Sequence, residues 1–424
     1  MKNLFLVIPA LVLCQPMVFS QGCLPEGITF TTQEQIDNFQ VNYPGCSEIE
    51  GNVMITGSEI ENLDGLGGVT SIMGNLQIKS NDILRELTGL QNLEYLGGDL
   101  GIEQNDVLVN LHGLENLANL NGDLIIGDIV LGQYPYSTGN PLITSLAGLN
   151  NLTTIQGTLK LCGNYSLTSL SGLENLAIIG GNLQVGGIEF VYGFTFGNPL
   201  LANFSGLAHL SAIGGGLFIA GNSNLANLSG LDSLLSIGQH CWFDMNESLA
   251  TLQGLNRLGS IGGRLNIRWN AALTNISGLE NIAAQSIQDL EISGNLALAQ
   301  CNIQSICNYL AGPGGNVFIE YNATGCNSPE EVEAVCEASS VTALLLQTSI
   351  SLYPNPANDK VTISSSAFAG KTRLSLFTLP GLHIKEKIIT GTIARLDISN
   401  LPPGMYIVEL ATDEWKVRKK LMIQ

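Results

Sequence analysis

The sequence predicts an all-β chain: a parallel β-solenoid of ~24-residue coils with short capping helices, then a C-terminal seven-stranded β-sandwich. Three observations carry this. A unit G-x-L-x-I-x-x-N-x-x-L-x-x-L-x-G-L-x-x-L-x-x-I recurs from Gly74, Gly98, Gly122, Gly157, Gly181, Gly215, Gln239, Gly263 and Gln288, at intervals of 24, 24, 35, 24, 34, 24, 24 and 25 residues, with a degenerate copy at Gly51. Within each unit, L-x-I alternates with the two-residue period of a strand. The period stops near Ser349, where the charge changes sign: residues 1–348 hold 30 acidic and 7 basic side chains, and residues 349–424 hold 6 and 10.

Composition narrows the class. The 424 residues are 45% hydrophobic and 12% charged, too apolar for a disordered chain. The acidic body lacks the Lys/Arg stripes that a nucleic acid needs. Beyond the N-terminus no apolar run reaches the ~18 residues of a membrane helix.

Residues 1–20 read as a secretory signal: Lys2, the apolar run Leu4–Leu13, then Val18-Phe19-Ser20 before a cut at Gln21. A lipidated Cys14 is disfavoured by the bulky Leu13. Residues 21–73 form an N-terminal cap and the first degenerate coil. There Thr31-Thr32-Gln33-Glu34 matches a capping box, and Cys23 and Cys46 flank the short helix and are expected to bond.

Residues 74–300 are the repeat solenoid. Equivalent positions stack on successive coils, so Leu76, Leu100, Leu124, Leu159, Leu183, Leu217, Cys241, Leu265 and Leu290 form one inner column, and Ile78 through Ile292 the next. The asparagines Asn81, Asn105, Asn140, Asn164, Asn198, Asn222, Asn246, Asn270 and Asn295 read as buried amides that satisfy backbone groups at a turn. The glycines at 89, 113, 148, 172, 206, 230, 254 and 278 read as tight packing or positive φ. Asn-x-Ser/Thr sequons occur several times, as at Asn151, Asn203, Asn227 and Asn275, but lie mostly on repeat positions and reflect composition.

Two coils carry insertions at the same point, 128–139 and 187–197. They contain Tyr134 and Tyr136, and Phe190, Tyr192, Phe194 and Phe196, and both end in Gly-Asn-Pro-Leu. Two coils apart, they should project side by side, as a ligand site or as hairpins that pack their aromatics together. The outward strand residue reads Gln77, Gly101, Ile125, Lys160, Gln184, Phe218, Trp242, Asn266 and Glu291. Phe218 and Trp242 are neighbours, with Asp244, Arg264, Arg268 and Trp269 nearby; exposed aromatics beside such groups suit sugar stacking or a protein hot spot.

Residues 301–337 form a C-terminal disulfide cap. Ile303, Ile306, Cys307 and Leu310 fall on one helical face, and Ser328-Pro329-Glu330-Glu331 opens a second helix. A Cys326–Cys336 bond would span too much helix, so the bonds should cross between Cys301/Cys307 and Cys326/Cys336. Cys162 and Cys241 lie three coils apart and should stay unpaired.

The solenoid pattern over residues 23–337 resembles the leucine-rich solenoids and, more closely, the receptor L-domain family, which implies a right-handed short-coil β-helix of the kind that binds ligands in receptor ectodomains.

After a linker at 338–349, residues 350–424 show seven short alternating segments separated by turn signals. Here Tyr353-Pro354-Asn355-Pro356-Ala357, then Leu401-Pro402-Pro403-Gly404-Met405-Tyr406, then Lys416–Lys420 with Lys419 and Lys420, resemble the type A C-terminal sorting domain of the type IX secretion system in Bacteroidetes. The resemblance implies passage across both membranes, usual removal of the domain, and release or surface attachment of the cargo.

Chemistry is sparse. His112, His209, His240 and His383 do not cluster, and no H-E-x-x-H or G-x-S-x-G occurs. Asp99 and Asp123, on adjacent coils, are a weak calcium pair. The expected reading is a secreted or cell-surface binding protein, not an enzyme, without cofactor or metal, whose solenoid recognises a protein or glycan and whose tail engages type IX secretion. The alternatives are a calcium-dependent polysaccharide lyase using Arg257, Arg264 and Arg268, and a structural surface-layer protein.

Overall fold

A computed structural model describes residues 22–132, 134–189, 194–338, 350–365, 371–412 and 416–424; the expected signal segment and most of the expected linker fall outside them. The chain divides into two compact units between Pro329 and Glu330.

The first unit is a β-solenoid. Twelve parallel strands, from Ile28–Phe30 to Val317–Glu320, hydrogen-bond in chain order into one sheet. The register aligns like with like: Leu76 pairs with Leu100 and Ile78 with Ile102. It survives the insertions, since Leu124 pairs with Leu159 across the first and Leu183 with Leu217 across the second. Both inner columns are fully buried, and each large aliphatic contributes on the order of 1.5–3 kcal/mol. A second edge of each coil forms two-residue strands, six of which (including Asn119–Leu120 and Ser260–Ile261) make a second parallel sheet.

The solenoid is longer than the repeat count predicts. A strand lies inside the expected N-terminal cap and another, Val317–Glu320, inside the C-terminal cap. Gly315-x-Val317-x-Ile319-x-x-Asn322 is in fact the first half of a repeat, disguised by its late arrival after Gln288.

Two side-chain ladders hold the coils in step. Every asparagine from Asn81 to Asn295 is fully buried. Asn164 is representative: its Nδ2 donates to the Ile126 carbonyl at 2.7 Å and to Asn198 Oδ1 at 3.2 Å, and its backbone N–H reaches that same Oδ1 at 3.1 Å. Each amide thus satisfies two coils, and the ladder ends on Asn322. The second ladder was not foreseen. The residue after the opening glycine accepts the next coil's backbone N–H: Asn52 from Asn75, Asn75 from Asp99 and Asp99 from Asp123, each at 2.8 Å, and Asp123 from Thr158 at 2.6 Å. Asp99 and Asp123, the weak calcium pair of the sequence, are thus coil-to-coil acceptors through Oδ1.

The glycine column packs as expected. Gly113, Gly148, Gly172, Gly206, Gly230 and Gly254 have φ between +106° and +115°. A Cβ on Gly172 would sit 2.0 Å from the Leu146 carbonyl oxygen. Gly89 and Gly278 meet the same obstacle from 3₁₀ turns without the positive φ.

The caps need two corrections. The helix Gln33–Asp37 is capped by Thr32 with Gln35, one residue later than the predicted box, because Thr32-x-x-Gln35 fits the motif as well as Thr31-x-x-Glu34. The helix Gln304–Leu310 buries Ser305, Ile306, Tyr309 and Leu310. Ile303 is its N-cap, so Tyr309 takes the core place, its hydroxyl donating to the Gln288 carbonyl at 2.8 Å. Cys23 bonds Cys46 and Cys301 bonds Cys326; Cys307 and Cys336 are also in disulfide linkage. Cys162 and Cys241 are free and buried. Residues 329–338 are helical.

In the second unit, seven antiparallel strands form a three-stranded sheet and a four-stranded sheet. Val361, Ile363, Leu374, Leu376, Val408, Leu410 and Leu421 fill its core.

Candidate binding site on the solenoid

The strands Leu217–Ala220, Cys241–Asp244 and Leu265–Arg268 are adjacent, and strand alternation turns Leu217, Cys241 and Leu265 inward and the next residues outward. Phe218, Trp242 and Asn266 therefore stand in one row. Phe218 meets Trp242 edge to face, with centroids 5.1 Å apart, and His240 stacks against Trp242 at 5.7 Å. The Arg268 guanidinium lies 6.0 Å from the Trp242 centroid and 5.1 Å from that of Trp269. It also makes a two-pronged bond to Asp244, Nε to Oδ1 at 2.9 Å and Nη2 to Oδ2 at 2.7 Å, and lies 3.6 Å from Glu291. Burial pushes the Asp244 carboxyl above its ordinary range, against the pull of Arg268.

The cluster is not the exposed patch that the sequence suggested. Phe218 and Trp242 are half-buried, Asp244 is 2% exposed and Asn266 1%. Close strand spacing and the Arg268 bridge bury them. Only Trp269 stays open, at 43%; its φ of +53° is the coil's own turn, shared by Ser80, Gln104, Met245 and Tyr321 and by glycines on other coils. Arg264 stands apart, paired with Asp289 at 3.2 Å.

Beside the cluster is a hollow of about 310 Å³, lined by Asn182, Gln184, Gly186, Gly187, Ile188, Phe218, Ile219, Ala220, Trp242 and Asp244. Trp242 Nε1–H is buried without an acceptor, and Asn266 Oδ1 without a donor. Buried polar groups are rarely left so. Sequence reasoning named neither Asn182 nor Gln184 as a site residue, although Gln184 stands beside Phe218 in the outward row and Ile188 belongs to the second insertion.

Both insertions are hairpins: Ile129–Val130 pairs with Tyr136–Ser137, and Ile188–Glu189 with Phe194–Thr195. Their bases touch, since Ile129 Cδ1 lies where a Cβ on Gly187 would be. Tyr134, Tyr136 and Phe194 are exposed, and Phe196 is buried. Phe190 and Tyr192 lie outside the described residues. The sequon asparagines serve the coils, as where Asn151 donates to the Glu115 carbonyl at 2.7 Å.

In the second unit, Asn355, between Pro354 and Pro356, clamps the last strand: its Nδ2 donates to the Lys420 carbonyl at 2.9 Å and its Oδ1 accepts from Met422 N–H at 2.8 Å. Tyr406 donates to the Pro402 carbonyl at 2.8 Å, across the turn that holds Gly404. Lys419 is half-buried and Lys420 exposed on that last strand.

Residues 351–424 match the family model described as the secretion system C-terminal sorting domain. The sorting domain implies secretion or cell-surface export, and it supports the type IX route. Residues 45–127 match the model of the receptor L domain, which covers the early coils up to the first insertion. No curated protein matches the chain. Among the described residues, no helix is long and apolar enough to cross a membrane.

Proposed function

We propose that the exported solenoid is a recognition rod, not an enzyme, and that it binds a neutral glycan in the hollow beside Trp242. The observation that carries this reading is the buried, unpartnered Trp242 Nε1–H next to the unpartnered Asn266 Oδ1 and the buried Asp244. A sugar hydroxyl both donates and accepts, so one ring can accept from the donor-only indole and donate to the Asp244 carboxylate, both of which line the hollow. Its apolar face suits the flank of Phe218. The acidic body disfavours anionic glycans. Against a lyase, Arg264 and Arg268 are engaged by Asp289 and Asp244, which leaves neither as a free base.

The test is a glycan array probed with the full chain and with Trp242→Ala. Neutral glycans should be retained and the variant should lose about tenfold in affinity, the loss of one stacked and hydrogen-bonded indole. Binding that ignores Trp242→Ala, or product release from polyuronates, would overturn the reading. A protein ligand is the second reading, favoured by the exposed Leu131, Tyr134 and Phe194 on the hairpins. It predicts sensitivity to Tyr134→Ala instead.

A further inference from the structure

A second hollow, of about 400 Å³, lies between the first hairpin and the neighbouring coils. Its aromatic lining comes from three separate places: Tyr136 on the first hairpin, Tyr165 on an ordinary coil and Phe196 at the end of the second hairpin. The three rings share this space, yet among the described residues none is in ring contact with another. They line an open hollow, Tyr136 and Tyr165 being half-exposed there and Phe196 buried. Tyr165 Oη and Ser137 Oγ are 3.1 Å apart, and the Phe196 backbone carbonyl accepts from Gly163 N–H at 3.2 Å, which ties the two hairpins to the coil that carries Tyr165. Asp106 completes the lining with an exposed carboxylate. Among the described residues, no lysine, arginine or histidine lines the hollow, and Asp106 has no ion-pair partner.

From this geometry we propose that the hairpin hollow is an aromatic cage for a quaternary ammonium group. Ring faces carry negative quadrupole potential, and several rings around one space attract a soft, weakly hydrated cation more than a neutral ligand. A carboxylate at the rim, on a body with 30 acidic and 7 basic side chains over residues 1–348, adds long-range attraction for the same charge. A quaternary ammonium has no N–H to satisfy, which matches a hollow whose tyrosine and serine hydroxyls already face each other. This site is separate from the glycan reading and does not depend on it.

The test is a calorimetric titration of the full chain with choline, alongside choline's neutral isostere, in which carbon replaces the quaternary nitrogen. Choline should bind, and the isostere at least about tenfold more weakly, the size of a desolvated cation–π contribution. Tyr165→Ala should weaken choline by a similar factor. Asp106→Asn, an exposed change that leaves the fold intact, should weaken it about fivefold, as expected for one surface charge pair. Co-sedimentation with phosphatidylcholine but not phosphatidylethanolamine vesicles would assign the group to a lipid headgroup. Choline binding without sedimentation would assign it to a free amine, and both results uphold the class. Absence of choline binding, equal binding of the isostere, or indifference to both substitutions would overturn the proposal.

Discussion

Asn198 shows how much one amide does in this fold. It donates to the Leu161 carbonyl at 2.9 Å and accepts both the backbone and side-chain N–H of Asn164, at 3.1 and 3.2 Å. Asn198→Leu would take a hydrogen bond from three buried groups and leave the Asn164 backbone N–H without its acceptor, and should cost about 3 kcal/mol, read as a fall in the denaturant midpoint. Gly172→Ala should cost on the order of 3 kcal/mol through its positive φ and the Leu146 carbonyl. At Cys162, burial pushes the thiol up to about 12, and Cys241 is raised by burial as well. Iodoacetamide at pH 8 should therefore label neither cysteine until denaturant is added, as mass spectrometry would report. The residues that repeat by type were legible in the sequence. Those that repeat only by role were not: Asn52, Asp99 and Asp123 accept the same backbone bond, and at the equivalent place His240 Nδ1 accepts from Arg264 N–H at 3.0 Å. A position that demands only an acceptor leaves no single-letter signature.

Strands and hairpins differ in what they owe to the sequence. The L-x-I strands were readable because burial on one face forces their alternation, and a slip of one residue would expose the whole column. The hairpins were readable as insertions, but their partners were not. Tyr165 occupies an ordinary coil position and enters the cage only because the first hairpin folds back to it. Likewise, the half-burial of Trp242 depends on Arg268, which comes from the next coil. In the sorting domain, Glu409 on the strand Gly404–Ala411 is held below the usual glutamate range: burial works against this, but bonds from Arg418 and Lys416 prevail. A depressed carboxyl contributes stability above its unfolded pKa and loses it as pH falls through the folded value. Acid titration of that strand pair should show this loss, and Glu409→Gln should flatten it.

At the scale of the molecule, the two units carry separate duties. The solenoid supplies a rigid scaffold in which each coil positions the next, so sites arise where neighbouring coils meet and not along one segment. The C-terminal unit supplies the address. A chain truncated before residue 350 should keep its solenoid and lose extracellular delivery, which fractionation of the producing cells would show; delivery of the truncated chain would remove the basis for the tail's role. The function itself was the least legible level, since a repeat scaffold constrains shape far more than ligand.

The most direct measurement follows the indole N–H of Trp242. The chain has three tryptophans, so a sample labelled at the indole nitrogens gives three side-chain signals, assignable by single substitution. When a neutral oligosaccharide selected on the array is added, the Trp242 signal should move downfield and exchange its proton more slowly, as the buried donor gains an acceptor. An unchanged Trp242 signal in the presence of saturating glycan would contradict the account.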